Sequence, residues 1–277
     1  MTSKIRVAVA QINPELLEVK HNLALHCDYV AQAREQGAEL LLFPELSLSG
    51  YQVSRNAPAI AMHAHDPVLH ALAKEAVGMT VVAGFVEEGR PGELFNAMAY
   101  LRDGIVMHIQ RKINLPTYGG LEEGKWFHSG QDLNTIEIKP DWHSTCLICA
   151  DLWNPALTHC AMLQRPEILL APINSASGVV SEDFSNEQNW VTNVSFYAMM
   201  YGTPVLLANR FGREKELSFW GGSCILGPKG EVLAKADDRE MLIFAELDRK
   251  RIGTARFDMP TVRDANTALI RKFLADY

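Results

Sequence analysis

The chain lacks long hydrophobic runs, and this shortage limits where it can act. No stretch of its 277 residues approaches the roughly 18 consecutive apolar residues that a membrane-spanning helix needs, so we expect no membrane contact. Residues 1–10 alternate like a first β-strand and lack the longer apolar core and cleavage site of a secretory signal. We therefore expect a cytoplasmic protein.

Cysteine is scarce as well. The chain holds five, an odd number without the spacing of a disulfide scaffold. This usage is typical of a reducing compartment, in which thiols stay free. A thiol nucleophile survives in such a compartment.

Positive charge is the third shortage. There are 26 Lys and Arg residues against 33 Asp and Glu, and the net charge is −7. Because the sequence also shows no basic stripe interleaved with aromatic residues, it disfavours nucleic acid as a partner. A hydrophobic content of 48% with 21% charged residues is typical of a folded globular chain. These features predict a small-molecule partner.

The sequence does contain alternating strand-sized and helix-sized patterns. Apolar residues alternate from 5 to 9, recur at helical spacing from 23 to 33 and form a short buried run from 40 to 43. Helical patterns lie at 68–76 and 188–201, and further strand-sized runs lie at 80–86, 97–101, 105–109, 144–149, 167–172, 204–209, 231–234 and 241–247. Strands that alternate with helices predict a layered α/β architecture.

The pattern shows no break in composition that would indicate a linker. We therefore predict one domain over residues 1–277, with 255–277 as a C-terminal extension. Residues 263–277 look helical, and periodicity alone leaves open whether this helix packs on a partner subunit or on its own chain. The Gly-Pro-Lys-Gly at 227–230 lies between two apolar runs and predicts a hairpin, because Gly and Pro fix turn dihedrals.

Three polar residues lie where predicted strands end. Cys149 follows an apolar run and precedes a turn marked by Pro155. Taken alone, a cysteine flanked by Leu and Ile is more often an inert buried residue than a nucleophile. Glu45, however, follows the run at 40–43, and Lys112 follows another apolar run. A carboxylate, an amine and a thiol at three strand ends favour a catalytic interpretation.

These three sites carry a family resemblance. The Phe-Pro-Glu at Glu45, the Arg-Lys-x-x-Leu-Pro at Lys112 and the Ile-Cys-x-Asp at Cys149 resemble, in order and spacing, the nitrilase or carbon–nitrogen hydrolase superfamily. The resemblance runs from about residue 5 to about residue 248. It implies an α-β-β-α sandwich of two mixed β-sheets, paired into four-layer homodimers or larger homo-oligomers.

The resemblance also implies roles for these residues. An ordinary thiol has a pKa of about 8.5 and needs a neighbouring base or cation for activation near neutrality. Glu45 would be the general base, Lys112 would stabilise the oxyanion, and Cys149 would form a thioester while ammonia or an amine leaves. The backbone N–H of Ala150 is a second candidate oxyanion donor. No metal or organic cofactor is implied.

The resemblance also implies a fourth catalytic residue, and residues after the motifs are candidate substrate contacts. Many relatives place a second glutamate beside the nucleophile, a few residues after the lysine motif, and alignment back from the Phe-x-x-Gly at 127–130 favours Glu123 over Glu122 for this catalytic position. Tyr118, Trp153 and Asn174 are candidate substrate contacts, although aromatic and amide residues also serve as packing. The segments around Trp153 and Asn174 depart from the family pattern, so the resemblance does not identify the substrate.

Two metal or redox alternatives rest on other residues. Cys146 and Cys149 form a Cys-x-x-Cys, but a structural zinc site would need a second pair of ligands. His63 and His65 form the His-x-His of a metal-dependent hydrolase, yet they precede Asp66, which is placed to cap a helix. A solvated loop is the more common setting for such histidines.

The residues together favour a cysteine-dependent amidase that acts on a small carboxamide or carbamoyl compound. A nitrilase is the main chemical alternative, because the same thiol can add to a nitrile carbon. An acyltransferase would pass the thioester to an amine instead of water, and none of the three motifs excludes it. A non-catalytic binding protein is disfavoured because Glu45, Lys112 and Cys149 are all present.

Overall fold

The apolar runs of the sequence build strands, and the amphipathic stretches build helices that cover them. The computed structural model describes residues 3–181 and 183–275. The strands are Lys4–Gln11 (β1), Leu40–Leu42 (β2), Thr80–Glu88 (β3), Leu94–Arg102 (β4), Ile105–Arg111 (β5), Thr135–Lys139 (β6), Trp142–Cys146 (β7), Ile168–Ile173 (β8), Val205–Asn209 (β9), Phe211–Glu214 (β10), Leu217–Trp220 (β11), Cys224–Leu226 (β12), Val232–Lys235 (β13) and Met241–Asp248 (β14). The helices are Val19–Glu35 (α1), Ala57–Ile60 (α2), Pro67–Glu75 (α3), Pro155–Leu163 (α4), Asn186–Tyr201 (α5), Arg249–Asp258 (α6) and Thr267–Leu274 (α7).

The strands form two six-stranded mixed sheets and one small hairpin. The first sheet has the order β14-β1-β2-β3-β4-β5, and the second has the order β13-β12-β9-β8-β7-β6. In each sheet the central strands are parallel and the outer strands are antiparallel. Parallel central strands are covered on both faces, and β2, β8 and β9 are accordingly buried along their whole length.

The two sheets pack face to face, and helices cover their outer faces. Between the sheets, Val9 and Leu42 of the first contact the layer that holds Leu170 and Leu206 of the second, with Trp142 fully buried there. The outer face of the first sheet packs on α1 and α3. The outer face of the second packs on α4 and α5. The predicted α-β-β-α sandwich of two mixed sheets is therefore confirmed.

The predicted strand at 144–149 is wrong at its C-terminal end. β7 ends at Cys146, and a 3-10 turn, Cys149–Trp153, begins three residues later. Leu147 still pairs with β8, since its N–H donates to the carbonyl of Leu170 at 3.0 Å. The apolar run extends past the strand because Leu147 and Ile148 are buried on entering the turn. Apolar content alone does not mark where a strand ends.

The C-terminal region is helical over part of the predicted range. Of residues 263–277, the stretch Thr267–Leu274 forms α7, and residues 276 and 277 lie outside the described residues. Leu269, Phe273 and Leu274 of this helix are exposed. Packing of this segment on a partner subunit, and a single domain over 1–277, stay predictions. In the described ranges, no helix is long and apolar enough to cross a membrane.

Gly84 of β3 provides a sharp test of the packing near Glu45. A Cβ added at Gly84 would lie 2.2 Å from the backbone nitrogen of Leu46 and 2.7 Å from the carbonyl oxygen of Pro44. We expect Gly84→Ala to lower the free energy of unfolding by about 3 kcal/mol, since these contacts are with backbone that cannot rotate away. Urea denaturation measures this change.

The matched control for Gly84→Ala is Gly253→Ala in α6. A Cβ at Gly253 has no atom within 4 Å. Alanine there should raise the free energy of unfolding by roughly 0.5–1 kcal/mol, the usual gain of alanine over glycine in a helix. Equal effects of the two substitutions would contradict the close approach of β3 to the Glu45 turn.

Candidate active site

Glu45 is held in a tight turn that follows β2. Leu46 has a φ of 48°, in the left-handed region, and residues 45–49 form a turn in which the N–H of Gly50 donates to the carbonyl of Leu46 at 2.9 Å. The N–H of Leu48 donates to the carbonyl of Gly84 at 2.8 Å, and the N–H of Gly84 donates to Ser47 Oγ at 3.1 Å. These bonds fix the turn against β3, and the Glu45 side chain is fully buried.

Lys112 lies one residue beyond β5. Its backbone N–H donates to the carbonyl of Asn96 in β4 at 2.8 Å, which extends the strand pairing and fixes the lysine. Its Nζ lies 2.6 Å from Glu45 Oε1, 2.8 Å from Glu123 Oε1 and 2.7 Å from Glu123 Oε2. One fully buried cation thus bridges two buried carboxylates. Glu45, Lys112 and Glu123 are called the charged cluster below.

Two neutral side chains complete the hydrogen bonding of the charged cluster. Asn96 Nδ2 donates to Glu45 Oε1 at 2.7 Å, and the Tyr51 hydroxyl donates to Glu123 Oε1 at 2.8 Å. The second oxygen of Glu45, Oε2, is buried and has no hydrogen-bond partner within the described residues. A buried carboxylate oxygen without a donor is suited to accept a proton.

The protonation of the cluster follows from burial and charge together. Burial alone would lower the pKa of Lys112, but the carboxylates of Glu123 and Glu45 outweigh it and hold this pKa well above its usual value. Burial raises the pKa of Glu123, and Glu45 raises it further, while Lys112 lowers it. Lys112 therefore remains an ammonium ion at neutral pH.

Cys149 occupies a strained position at the start of the 3-10 turn. Its φ of 46° lies in the left-handed region that side chains other than glycine rarely adopt, and such strain is often found at functional sites. Burial raises the pKa of the Cys149 thiol well above its usual value, and Glu45 raises it further. Lys112 and the backbone of Asn174 act in the opposite direction without reversing the shift. The resting residue is therefore a neutral thiol, which would need a base to act as a nucleophile.

Asp151 joins the lysine loop to the cysteine turn. Its Oδ1 accepts the N–H groups of Ile113 at 3.1 Å and Asn114 at 2.6 Å, and its Oδ2 accepts the N–H of Ile148 at 3.0 Å. Burial raises the pKa of Asp151 to about 7, although these donors and Lys112 lower it. One carboxylate therefore fixes the residue after Lys112 and the residue before Cys149.

We expect Asp151→Asn to lower kcat by about 100-fold, the size of effect that a displacement of about 1 Å produces in an active site. The asparagine amide can still accept from Ile113 and Asn114, but its Nδ2 would face the N–H of Ile148, and two donors cannot bond. KM should change little because Asp151 does not line the cavity in front of the thiol. Steady-state kinetics beside the exposed control Asp264→Asn measure both constants, and an unchanged kcat would contradict this role.

The predicted pocket residues share one cavity. Cys149, Ala150, Tyr118, Trp153 and Asn174 all line a space of about 250 Å³. Asn174 Nδ2 donates to the backbone carbonyl of Glu45 at 2.7 Å, which ties this wall to the glutamate turn. The structure thus gathers these residues in front of the thiol, and their contact with substrate stays a prediction.

Only one of the two candidate glutamates reaches the charged cluster. Glu123 is 5% exposed and bonds to Lys112, as the alignment favoured. The side chain of Glu122 is 54% exposed and pairs instead with Lys125. The 3-10 turn Glu123–Lys125 turns these neighbours to different sides. The Glu122 alternative is therefore not supported.

Sequence reasoning missed several residues of the site. Tyr51 and Asn96 bond to the charged cluster but belong to none of the three motifs. Glu214 accepts the N–H of Tyr51 at 3.0 Å, and it is paired with buried Arg210. Tyr, Asn, Arg and Glu occur throughout the sequence without a local pattern around these four, so only their spatial position reveals them. Asp151 does belong to the cysteine motif. An acidic residue directly after an apolar run is the sequence feature that could have indicated its structural role.

The metal and redox alternatives gain no geometric support. His63 contacts Glu88 with an Nε2–Oε2 distance of 3.2 Å, while His65 stacks on His70. Across residues 3–181 and 183–275, no group of three or more His, Cys, Asp or Glu side chains is arranged to hold a metal ion. Asp66 caps α3 by accepting the N–H of Val68 at 2.8 Å, as predicted.

Cys146 and Cys149 also differ in their surroundings. Cys146 is buried in the core between the two sheets, and Cys149 lines the cavity. Both are free thiols in the structure. Cys149 packs against the same core cluster, but it also lines the cavity, which Cys146 does not.

Comparison with known proteins identifies the family. The carbon-nitrogen hydrolase family model matches residues 6–257, and the chain belongs to this family. The match covers most of both sheets and all three motif residues, Glu45, Lys112 and Cys149.

Two curated relatives and one solved structure illustrate the likeness. The chain is 27% identical to N-carbamoylputrescine amidase from Arabidopsis thaliana, over 93% of this chain and 91% of that protein. It is 28% identical to glutamine-dependent NAD(+) synthetase from Thermotoga maritima, over 83% of this chain but only 39% of that protein. The chain thus spans less than half the length of that relative. An amidase from Nesterenkonia sp. AN1 shares the fold with a TM-score of 0.82 and 24% identity, and 98% of each chain is covered.

Proposed function

We propose that the protein hydrolyses the C–N bond of a small carboxamide or carbamoyl compound through a thioester on Cys149. The observation that carries this proposal is the buried charged cluster behind Cys149, in which Glu45 Oε2 has no donor among the described residues. The charge of Glu45 is close enough to raise the pKa of the thiol. Family membership and the amidase relative support the same chemistry.

The first half of the reaction forms the thioester. Glu45 takes the proton of the Cys149 thiol as sulfur bonds to the amide carbon, because the thiol is neutral at rest. The carbonyl oxygen gains the charge, which the Lys112 ammonium and the Ala150 N–H stabilise. Glu45 then passes its proton to the nitrogen as the C–N bond breaks, and ammonia or an amine leaves.

The second half returns the enzyme to its starting state. Water enters the position that the amine vacated and loses a proton to Glu45 as its oxygen bonds to the thioester carbon. The C–S bond breaks, the acid leaves, and Glu45 returns the proton to the Cys149 sulfur. Glu123 holds Lys112 in place during both halves by accepting a hydrogen bond from its Nζ, and the Tyr51 hydroxyl holds Glu123 in turn. We call them positioning residues.

Product analysis with a panel of substrates tests this proposal. The purified protein is incubated with simple amides, N-carbamoyl amines and the corresponding nitriles, and ammonia and carboxylic acid are quantified. We expect equal amounts of ammonia and acid from at least one amide or carbamoyl compound. Turnover of nitriles alone would assign a nitrilase, and turnover that needs an added amine acceptor would assign an acyltransferase. Either result would overturn the amidase proposal.

Removal of metal ions separates this mechanism from the histidine alternative. We expect prolonged dialysis against EDTA to leave the specific activity within about twofold of its starting value, because the proposed steps use side chains and backbone only. The double variant His63→Ala/His65→Ala should behave likewise. Loss of activity on chelation that zinc restores would contradict the thioester route.

A further inference from the structure

The cavity in front of Cys149 is walled by uncharged residues. Among the described residues that line it, none is Asp, Glu, Lys, Arg or His. An adjoining groove shares Tyr118 and Trp153 with the cavity, and the described residues that line this groove are also uncharged. A charged end of a substrate would lose its hydration in this space without gaining a charged partner among the described lining residues, which costs several kcal/mol.

The carboxylates behind the thiol do not offer a partner either. Glu45 Oε1 and both oxygens of Glu123 are already bonded to Lys112, and Asn96 and Tyr51 bond to them as well. A substrate ammonium could pair with them only by displacing the buried lysine. Of these four carboxylate oxygens, Glu45 Oε2 has no partner within the described part of the chain, and it is needed for the thiol proton.

Aromatic rings form part of the cavity wall. The Trp153 ring packs edge to face on Trp190, with centroids 5.1 Å apart, and on Phe184, with centroids 5.9 Å apart. Val179 and Val180 add aliphatic surface beside them. These three rings can make edge-to-face or stacked contacts with an aromatic ring of a substrate. Such contacts add to the free energy gained by burying the apolar surface of that ring.

The size of the cavity limits what fits. A dry apolar cavity of about 150 Å³ holds one benzene molecule. The space here measures about 250 Å³, which leaves about 100 Å³ beside a ring. That remainder holds a carboxamide and one or two carbons, because a small polar molecule such as water occupies about 30 Å³.

We propose that the preferred substrates are carboxamides whose acyl group is uncharged and carries an apolar end of about phenyl size. This inference rests on the proposed function and names its substrate class. The cavity excludes acyl groups that end in an ammonium or a carboxylate, such as those of ω-amino amides and ω-carboxy amides. Small aliphatic amides enter but leave the aromatic wall uncovered.

Two substrate comparisons test this class in the wild-type protein. 3-Phenylpropanamide should exceed acetamide in kcat/KM by about 100-fold, the gain that burial of a phenyl-sized group supports. Hexanamide should exceed 5-aminopentanamide by at least about 100-fold, since the two differ only in a terminal methyl or ammonium group. Preference for 5-aminopentanamide or for 4-carbamoylbutanoate would overturn the inference.

Variants connect the preference to the cavity wall. Trp153→Ala should lower the ratio of kcat/KM for 3-phenylpropanamide to that for acetamide by about tenfold, while Phe257→Ala, a matched change at an 83% exposed residue, should leave this ratio unchanged. Val180→Glu should shift the preference from hexanamide toward 5-aminopentanamide. A ratio that Trp153→Ala does not change would contradict the assignment of the wall.

The outcomes separate this inference from the proposed function. If acetamide is hydrolysed and 3-phenylpropanamide has no higher kcat/KM, the inferred substrate class is wrong and the amidase proposal stands. If no amide acylates Cys149, both the inferred substrate class and the proposed function are wrong. Glu182 lies outside the described residues, so a preference for 5-aminopentanamide that Glu182→Gln abolishes would assign a cation partner to Glu182 and overturn the uncharged class.

Discussion

Replacement of Cys149 by alanine is expected to lower kcat/KM for every amide substrate by about 10⁶-fold, the loss that follows removal of a covalent nucleophile. Without sulfur no thioester forms, and Glu45 and Lys112 have no nucleophile to assist. The loss should appear in kcat, because the alanine leaves the cavity open to substrate. Ammonia release measured at high enzyme concentration detects the residual rate.

The chain offers a matched control for this substitution. Cys146 is three residues away and 1% exposed, in the core between the sheets. Cys146→Ala should retain activity within a few-fold and lower the free energy of unfolding by about 1 kcal/mol, since it removes one buried sulfur. Turnover by Cys149→Ala at more than about one thousandth of the wild-type rate would contradict the covalent route.

Lys112→Met is expected to have the largest combined effect on activity and stability. It removes the oxyanion contact, which by itself costs about 100- to 1,000-fold in kcat. It also leaves the buried carboxylates of Glu45 and Glu123 without their cation, and breaking a buried ion pair in this way costs about 3–5 kcal/mol. Urea denaturation and kinetics of one preparation measure both losses.

The pH dependence of the Lys112→Met variant has a definite sign. Burial raises the pKa of Glu123 and Lys112 lowers it, so loss of the lysine raises this pKa further. A carboxyl group whose pKa is higher in the folded state than in the unfolded state loses stability as the pH rises between these two values. The variant should therefore be closer to wild type in stability at pH 5 than at pH 8. An equal difference at both pH values would contradict the buried carboxylate pair.

A second substitution shows how much of the stability lost in Lys112→Met is due to unpaired charge and how much to altered packing. Lys112→Met/Glu123→Gln removes one of the two unpaired carboxylates, and the glutamine oxygen still accepts from the Tyr51 hydroxyl. The double variant should recover at least about half of the lost free energy of unfolding at pH 8 and none of the activity. Recovery of activity would show that Lys112 is not needed for the oxyanion.

The alternating strand and helix patterns predict a layered α/β architecture, while the α-β-β-α sandwich and the roles of the three motif residues come from the family resemblance of the motifs. The apolar runs at 80–86 and 241–247 predict β3 and β14 with ends within two residues of those observed. Glu123 and Glu122 differ by one position, and alignment back from the Phe-x-x-Gly at 127–130 is enough to favour Glu123. Strand patterns and motifs are formed by residues close together in the chain, so one sequence is enough to predict them.

The remaining features depend on residues far apart in the chain. The contact of Tyr51 with Glu123 spans 72 positions, and that of Asn174 with Glu45 spans 129. No local pattern indicates such contacts, and these residue types occur throughout the sequence. The early end of β7 and the positive φ of Cys149 likewise follow from the packing of the turn and from the bonds of Asp151.

The most direct test of the thioester mechanism is intact-protein mass spectrometry of samples quenched with acid during turnover. Wild type should gain the mass of the substrate less that of ammonia, and peptide mapping should place the adduct on Cys149. The adduct should decay when substrate is exhausted and should be absent from Cys149→Ala. Steady turnover by wild type with no adduct on Cys149, or with an adduct on another residue, would contradict the mechanism.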